Sequence, residues 1–245
     1  MKKFGLIGLP LIHSFSKKFF TEKFEMENID AQYELYELQD ISEFSALVET
    51  DNLCGLNVTI PYKEKVMDFL DELDETAARI GAVNVIKFIR QDGTLKLKGY
   101  NSDTIGFEKS LTPLLKPHHK KALILGTGGA SKAIDFTLRK LGIEPTFVSR
   151  TAQPGMLTYY QLNEEVIKHH QLIINASPVG TYPHYNECPD IPYQFLTANH
   201  LLYDVVYNPA ETVFLKNGKE MGTQTLNGES MLVEQAVASW EIWNK

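Results

Sequence analysis

Short apolar runs alternate with amphipathic stretches along the whole chain, the pattern of strands and helices interleaved in an α/β architecture with parallel sheets. In the first hundred residues, apolar runs at 4–8, 33–38, 53–58, 83–89 and 95–98 predict strands. Between them Phe20 and Phe24, then Phe44, Leu47 and Val48, recur at helical spacing. Val66, Leu70 and Leu73 do the same after Pro61, which sits where a helix's first turn tolerates proline. Thr112-Pro113 and the polar segment 116–121 then break the pattern and predict a link. A second series follows, with a strand at 122–125, a glycine-rich turn at 126–130, a helix at 132–141 and strands at 146–149, 172–175 and 201–205. Residues 182–192, with three prolines, predict a loop. Met231, Leu232, Gln235, Ala236 and Trp240 line one side of a final helix over 228–243.

Composition narrows the function classes. The 245 residues suit one large or two modest domains, and 43% apolar with 22% charged residues is an ordinary globular balance. No run approaches the roughly 18 apolar residues of a membrane span. The first ten residues superficially resemble a secretion leader, but they run into Pro10 and His13 without a small-residue cleavage site, and so predict a first strand. A net charge of −7 argues against a nucleic-acid binder and leaves anionic small substrates open. Cys54 and Cys188 lack metal-ligand spacing and point to two reduced thiols in a cytoplasmic protein. The adjacent pairs His118-His119 and His169-His170 cannot face one ion from a helix, so no metal site is expected. His13, Trp240 and Trp243 are expected to pack.

The chemistry begins at Gly126-Thr127-Gly128-Gly129-Ala130-Ser131, which follows an apolar strand and opens a helix, as a dinucleotide fingerprint must. Glycines there let the backbone approach a pyrophosphate facing the free N–H groups of a helix start; a tight turn without ligand is the bland alternative. Ser131 at the third fingerprint position makes the match imperfect. After the next strand stands Ser149-Arg150-Thr151 with no acid, which favours the 2′-phosphate of NADP over the free ribose hydroxyl of NAD.

Four polar clusters lie elsewhere. Ser14-Phe15-Ser16 puts two hydroxyls near a helix start, where they can hold a carboxylate or simply cap the helix. Asn57, Thr59 and Lys63 follow one strand, and Gly81-Ala82-Val83-Asn84 and Gly99-Tyr100-Asn101-Ser102-Asp103 put polar groups at the termini of others. Taken alone, Asn84 and Asp103 are more often turn or cap residues than ligands.

In order, Ser-x-Ser at 14–16, Asn-Val-Thr-x-Pro-x-Lys at 57–63, Gly-Ala-x-Asn at 81–84, Asn-(Ser/Thr)-Asp at 101–103 and Gly-x-Gly-Gly-Ala at 126–130 resemble the shikimate dehydrogenase family. The resemblance continues through 149–151, 175–180, 204–209 and 228–236, and so covers nearly the whole chain. It implies an N-terminal α/β substrate domain with a mostly parallel sheet at 1–112, a Rossmann-like NADP domain at 113–218 and a C-terminal helix at 219–245 returning to the first. It implies further that Ser14 and Ser16, helped by Tyr207, hold the substrate carboxylate. Thr59, Lys63, Asn84, Asp103 and Gln235 would bond the ring hydroxyls. Gly126, Thr127, Gly128, Gly129 and Ala130 would cradle the pyrophosphate, Ser149, Arg150 and Thr151 the adenosine phosphate, and Val205 and Gly228 would lie near the nicotinamide. The chain departs from the pattern at Val85 and Ser102, where threonine is usual, at Ser149 for asparagine, at Thr181 for methionine, and in lacking a second arginine soon after Arg150.

Reducing a ketone needs a hydride and a proton for the developing alkoxide. Lys63 is the expected acid–base group, with Asp103 as its partner and a substrate ligand; the reverse division of labour stays open, as does a plain salt bridge. The expected reaction is reversible NADPH-dependent reduction of 3-dehydroshikimate to shikimate, by a monomer or homodimer without nucleic-acid or membrane partners. The alternatives are an NAD-using quinate/shikimate dehydrogenase, an aminoshikimate-type relative and a non-catalytic binder of shikimate-like ligands or nucleotide.

Overall fold

The computed structural model describes residues 1–11, 14–49 and 52–245, and His13 lies outside them. The chain divides into two compact units: Met1–Ile105 with Gln235–Lys245, and Gly106–Glu234.

The first unit carries, in chain order, β1 (Lys2–Gly8), α1 (Phe15–Met26), β2 (Ala31–Glu37), α2 (Phe44–Val48), β3 (Leu53–Val58), β4 (Glu72–Leu73), α3 (Glu75–Ile80), β5 (Val85–Gln91) and β6 (Thr94–Tyr100). Its sheet has the order β2-β1-β3-β5-β6-β4. β1 runs parallel to both β2 and β3, and β4 to β6, while β5 is antiparallel to its two neighbours. One sheet face packs Ile7, Leu56, Val58 and Ile86 with Phe44 and Val66, and the other packs Phe4, Phe20, Phe24 and Tyr33 with Trp243. Both faces are therefore covered, as buried parallel strands require.

The helix expected after Pro61 shrinks to a 3₁₀ turn at Lys65–Phe69, and Leu73 belongs to a strand instead. The backbone of Asp71 bonds to Leu97 O, and its carboxylate accepts the Leu97 N–H at 2.7 Å. Those two bonds draw the chain onto the sheet edge before a helix can propagate. The short helical pattern lost to a long-range ladder.

α4 (Asp103–Leu111) runs past the end of the first unit's main segment into the second, upstream of the polar stretch at 112–121. The second unit adds β7 (Lys121–Leu125), α5 (Gly129–Lys140), β8 (Glu144–Ser149), β9 (Leu157–Thr158), α6 (Glu164–His169), β10 (Leu172–Asn175), β11 (Leu201–Asp204), α7 (Val213–Glu220) and β12 (Gln224–Leu226). These strands are all parallel in the order β12-β11-β10-β7-β8-β9. Counted from β7, that is the 3-2-1-4-5-6 order of a doubly wound dinucleotide fold. In α5, Ser131, Ala133, Ile134, Thr137 and Leu138 are buried at helical spacing. The strand order reverses between β7 and β10, where such sheets bind ligands. β12 was not foreseen, and the final helix, α8 (Glu229–Asn244), contributes to the first unit only from Gln235 onward.

Candidate active site

In the first unit the polar strand ends converge. Lys63 Nζ donates to Asp103 Oδ2 at 2.6 Å, and the two side chains are 15% and 9% exposed. Asn84 Nδ2 donates to the other carboxylate oxygen at 2.7 Å and to Ser102 Oγ at 3.0 Å. The Ser102 N–H donates back to Asn84 Oδ1 at 2.6 Å, which fixes the amide's orientation. The placement follows from the sheet: Asn84 N bonds to Tyr100 O, Val58 N to Asn84 O and Val83 N to Lys63 O. Three sequence-distant motifs are thus joined by main-chain bonds before any side chain acts. Gln235, from α8, joins through Ser102 Oγ at 3.4 Å from its Oε1.

Ser14 caps α1, its Oγ accepting the Lys17 N–H at 3.2 Å, so the capping role is real for this serine. Ser16, one residue into the helix, faces the Tyr33 phenol. Thr59 is half-buried, with its N–H bonded to Ile7 O. Tyr207 belongs to the second unit, beyond β11, and is 38% exposed.

In the second unit Gly126 has φ of +112°, a backbone shape that favours glycine, and a Cβ there would stand a tight 3.2 Å from Ala176 O. Gly128, the N-cap of α5, is different: a Cβ would meet nothing within 4 Å. Thr127 and Gly128 are exposed, and Gly129 and Ala130 open the helix. The turn thus presents a helix start to open space, as a pyrophosphate cradle needs. Ser149 is buried with its Oγ accepting the Thr151 N–H at 3.3 Å, while Arg150 and Thr151 are exposed beyond β8. Gly228 lies against Val205 so closely that a Cβ would fall 2.1 Å from Val205 O. These two expected nicotinamide neighbours are therefore in contact.

Behind Val205 sits a buried group that sequence reading left unassigned. Asp204 accepts from Asn175 Nδ2 at 3.0 Å, from Val206 N–H at 3.0 Å and from Thr212 Oγ1 at 2.6 Å. Burial pushes its carboxyl from the usual 3.8 up to about 6, against the pull of the Thr212, Val206 and Asn175 hydrogen bonds. The folded chain then holds that proton more tightly than the unfolded chain does. This group's contribution to stability is greatest below pH 3.8 and is lost as pH rises to about 6. Roughly 3 kcal/mol disappears across that window. Asp204→Asn is expected to flatten this part of the curve, and urea melts of both proteins from about pH 4 to 7 check it. An identical pH slope for the two proteins would refute the assignment.

Comparison with known proteins fits this geometry. A relative from Methanosphaera stadtmanae named shikimate dehydrogenase (NADP(+)) is 36% identical, over 98% of this chain and 90% of its own length. The chain belongs to the shikimate dehydrogenase family. A relative of the same name from Carboxydothermus hydrogenoformans is 37% identical over the same shares. Residues 6–86 match the family model described as the shikimate dehydrogenase substrate binding domain. The crystal structure of the Thermus thermophilus shikimate 5-dehydrogenase in complex with NADP(H) and shikimate superposes with a TM-score of 0.86 at 28% identity, covering 99% of this chain and 93% of that one. Within this frame Lys63, Asn84, Asp103 and Gln235 form one cluster, and the glycine-rich turn, Val205 and Gly228 follow the carboxyl ends of β7, β11 and β12 in the second sheet. Sequence reading missed Tyr33, Ser239, Asp204 and Thr212, and gave Asn57 and Ser102 no role. For Ser239 a signal existed: it stands four residues after Gln235, on the same helix face. Among the described residues no cluster of acidic, histidine and cysteine side chains can hold a metal ion, and no helix is long and apolar enough to cross a membrane.

Proposed function

We infer that this protein is an NADP-dependent oxidoreductase that reduces 3-dehydroshikimate reversibly to shikimate. The observation that carries the reading is the Lys63–Asp103–Asn84 constellation, assembled from three family motifs at the strand ends of one sheet. The second unit's residues suit the nucleotide, because Gly128 leaves its surroundings open and no acid ends β8. When bound, NADPH supplies the hydride. Lys63 delivers the proton to the carbonyl oxygen as negative charge develops there, and Asp103 directs the ammonium and accepts from a ring hydroxyl. Thr59, Asn84 and Gln235 contact the ring hydroxyls, and Ser14 and Ser16 hold the carboxylate. Gly126, Thr127, Gly128, Gly129 and Ala130 receive the pyrophosphate, Ser149, Arg150 and Thr151 the 2′-phosphate, and Val205 and Gly228 border the nicotinamide.

The test is steady-state NADPH oxidation with 3-dehydroshikimate. Turnover supports the reading, whereas shikimate binding without turnover would make the protein a non-catalytic relative. Within that assay, Ser16→Ala is expected to raise the shikimate KM by the equivalent of about 0.5–3 kcal/mol, the span from neutral to charged hydrogen bonds. Ser14→Ala should do the same and also cost about 1 kcal/mol of stability, since it removes a helix cap. Thermal melts beside KM measurements separate the two effects, and unchanged KM in both variants would leave only the cap.

A further inference from the structure

A buried column of hydrogen bonds runs through the first unit and ends on the substrate ligands. Tyr33 OH donates to Asn57 Oδ1 at 2.8 Å, and burial, partly offset by Ser16, pushes the phenol's pKa well up, so it stays a donor. That bond turns the Asn57 amide so that Nδ2 donates to Ser239 Oγ at 2.9 Å. Ser239 Oγ donates to Gln235 O, one turn back in α8, at 2.8 Å. Its remaining lone pair faces Ser102 Oγ at 3.1 Å. Ser102 Oγ already accepts from Asn84 Nδ2, so its single proton has three places to go. Ser239 is the nearest, and Asn84 Oδ1 at 3.3 Å and Gln235 Oε1 at 3.4 Å are the longer contacts. Ser102 and Ser239 are fully buried, and Asn57 is 5% exposed, so each depends on a buried partner for its hydrogen bonds.

We propose that Ser239 is a positioning residue for substrate recognition: it takes the Ser102 proton and so leaves the Gln235 amide turned for the ring hydroxyls, while Asn84 is held by the Ser102 N–H and Asp103. Tyr33 and Asn57 hold Ser239 in that role. Without the Ser239 hydroxyl, Ser102 turns its proton to Gln235 Oε1 and draws that amide away from the substrate. Asn57 Nδ2 loses its shorter acceptor and keeps only Asn84 O at 3.3 Å, so one of its buried N–H groups is left without an acceptor. The column therefore links the start of the substrate domain to its final helix by side-chain chemistry that neither touches the reacting carbon nor carries charge.

This rests on the reading of the first unit as a shikimate site, and the two fail differently: a wild-type protein without turnover sinks that reading, not this one alone. In the active protein, Ser239→Ala is expected to raise the shikimate KM on the order of tenfold, the loss of one neutral hydrogen bond, with the NADPH KM unchanged. Tyr33→Phe, made in a Ser16→Ala background so that the Ser16 contact plays no part, is expected to shift the same KM in the same direction, by less. Ser102→Ala combined with Ser239→Ala should be markedly non-additive, because both act on the Gln235 amide. A Ser239→Ala protein with normal shikimate KM, or one in which both KM values rise together with falling thermal stability, would overturn the proposal. Should Ser239→Ala fail to fold, Tyr33→Phe in the Ser16→Ala background decides: a further selective rise in shikimate KM upholds the column and an unchanged KM removes it.

Discussion

Lys63→Ala is expected to lower turnover by roughly 10²–10⁴-fold, the range for losing a positioned acid–base group. The shikimate KM should change far less, because the neighbouring ligands remain. The geometry explains how the lysine is aimed. Its Nζ is held 2.6 Å from Asp103 Oδ2, and the second carboxylate oxygen is occupied by Asn84 at 2.7 Å. The ammonium is thus aimed by a carboxylate that is itself aimed. Removing Lys63 has a second effect, since it leaves a nearly buried carboxylate with one partner fewer. Breaking a buried ion pair from one side typically costs about 3–5 kcal/mol, so stability must be measured on the same preparation. Single-turnover hydride transfer in the folded fraction isolates the chemical step. A folded variant with near-normal turnover would falsify the assignment. If Asp103→Asn instead proves the more damaging change at that step, the acid–base role moves to Asp103.

Much of this arrangement could be read before any coordinates. The runs at 53–58 and 172–175 became strands with those bounds, because each is a compact apolar stretch ended by residues that leave the ladder. The functional motifs were legible for a related reason. They sit where strands end, so the backbone bonds that build the sheet also bring Lys63, Asn84 and Asp103 together. What stayed hidden depends on partners far away in sequence. β4, β9 and β12 are two or three residues long, and only pairing with β6, β8 and β11 defines them. Ser239 bonds to Asn57 across 182 positions, and Tyr33 reads as one more apolar position in a strand until its hydroxyl finds that same amide. Asp204 reads as a strand-end acid, and its meaning appears only when Thr212 and Asn175 close over it.

NADPH is expected to be used with a kcat/KM higher than that of NADH by a factor on the order of 10–10³, set by a charge-assisted contact worth about 1.5–3 kcal/mol at a site open to solvent. Arg150 stands exposed beyond β8, where its planar fork can pair with a 2′-phosphate, and Thr151 and the buried Ser149 add neutral groups beside it. Ser149 Oγ is already tied to the Thr151 N–H, which shapes the turn and leaves the arginine to supply the charge. No carboxylate stands at that strand end to accept from the free 2′-hydroxyl of NAD, so nothing there rewards the unphosphorylated nucleotide. Arg150→Ala should therefore shrink the preference, mainly by raising the NADPH KM, while NADH kinetics stay near wild type. The loss should also be smaller at high salt, since an exposed charge pair is already screened there. Steady-state kinetics with both nucleotides, at low and high ionic strength, test each part. A wild-type ratio near one, or a preference for NADH, would overturn the reading of Ser149-Arg150-Thr151. It would leave the Lys63–Asp103 chemistry standing and move the protein toward an NAD-using enzyme of broader substrate range.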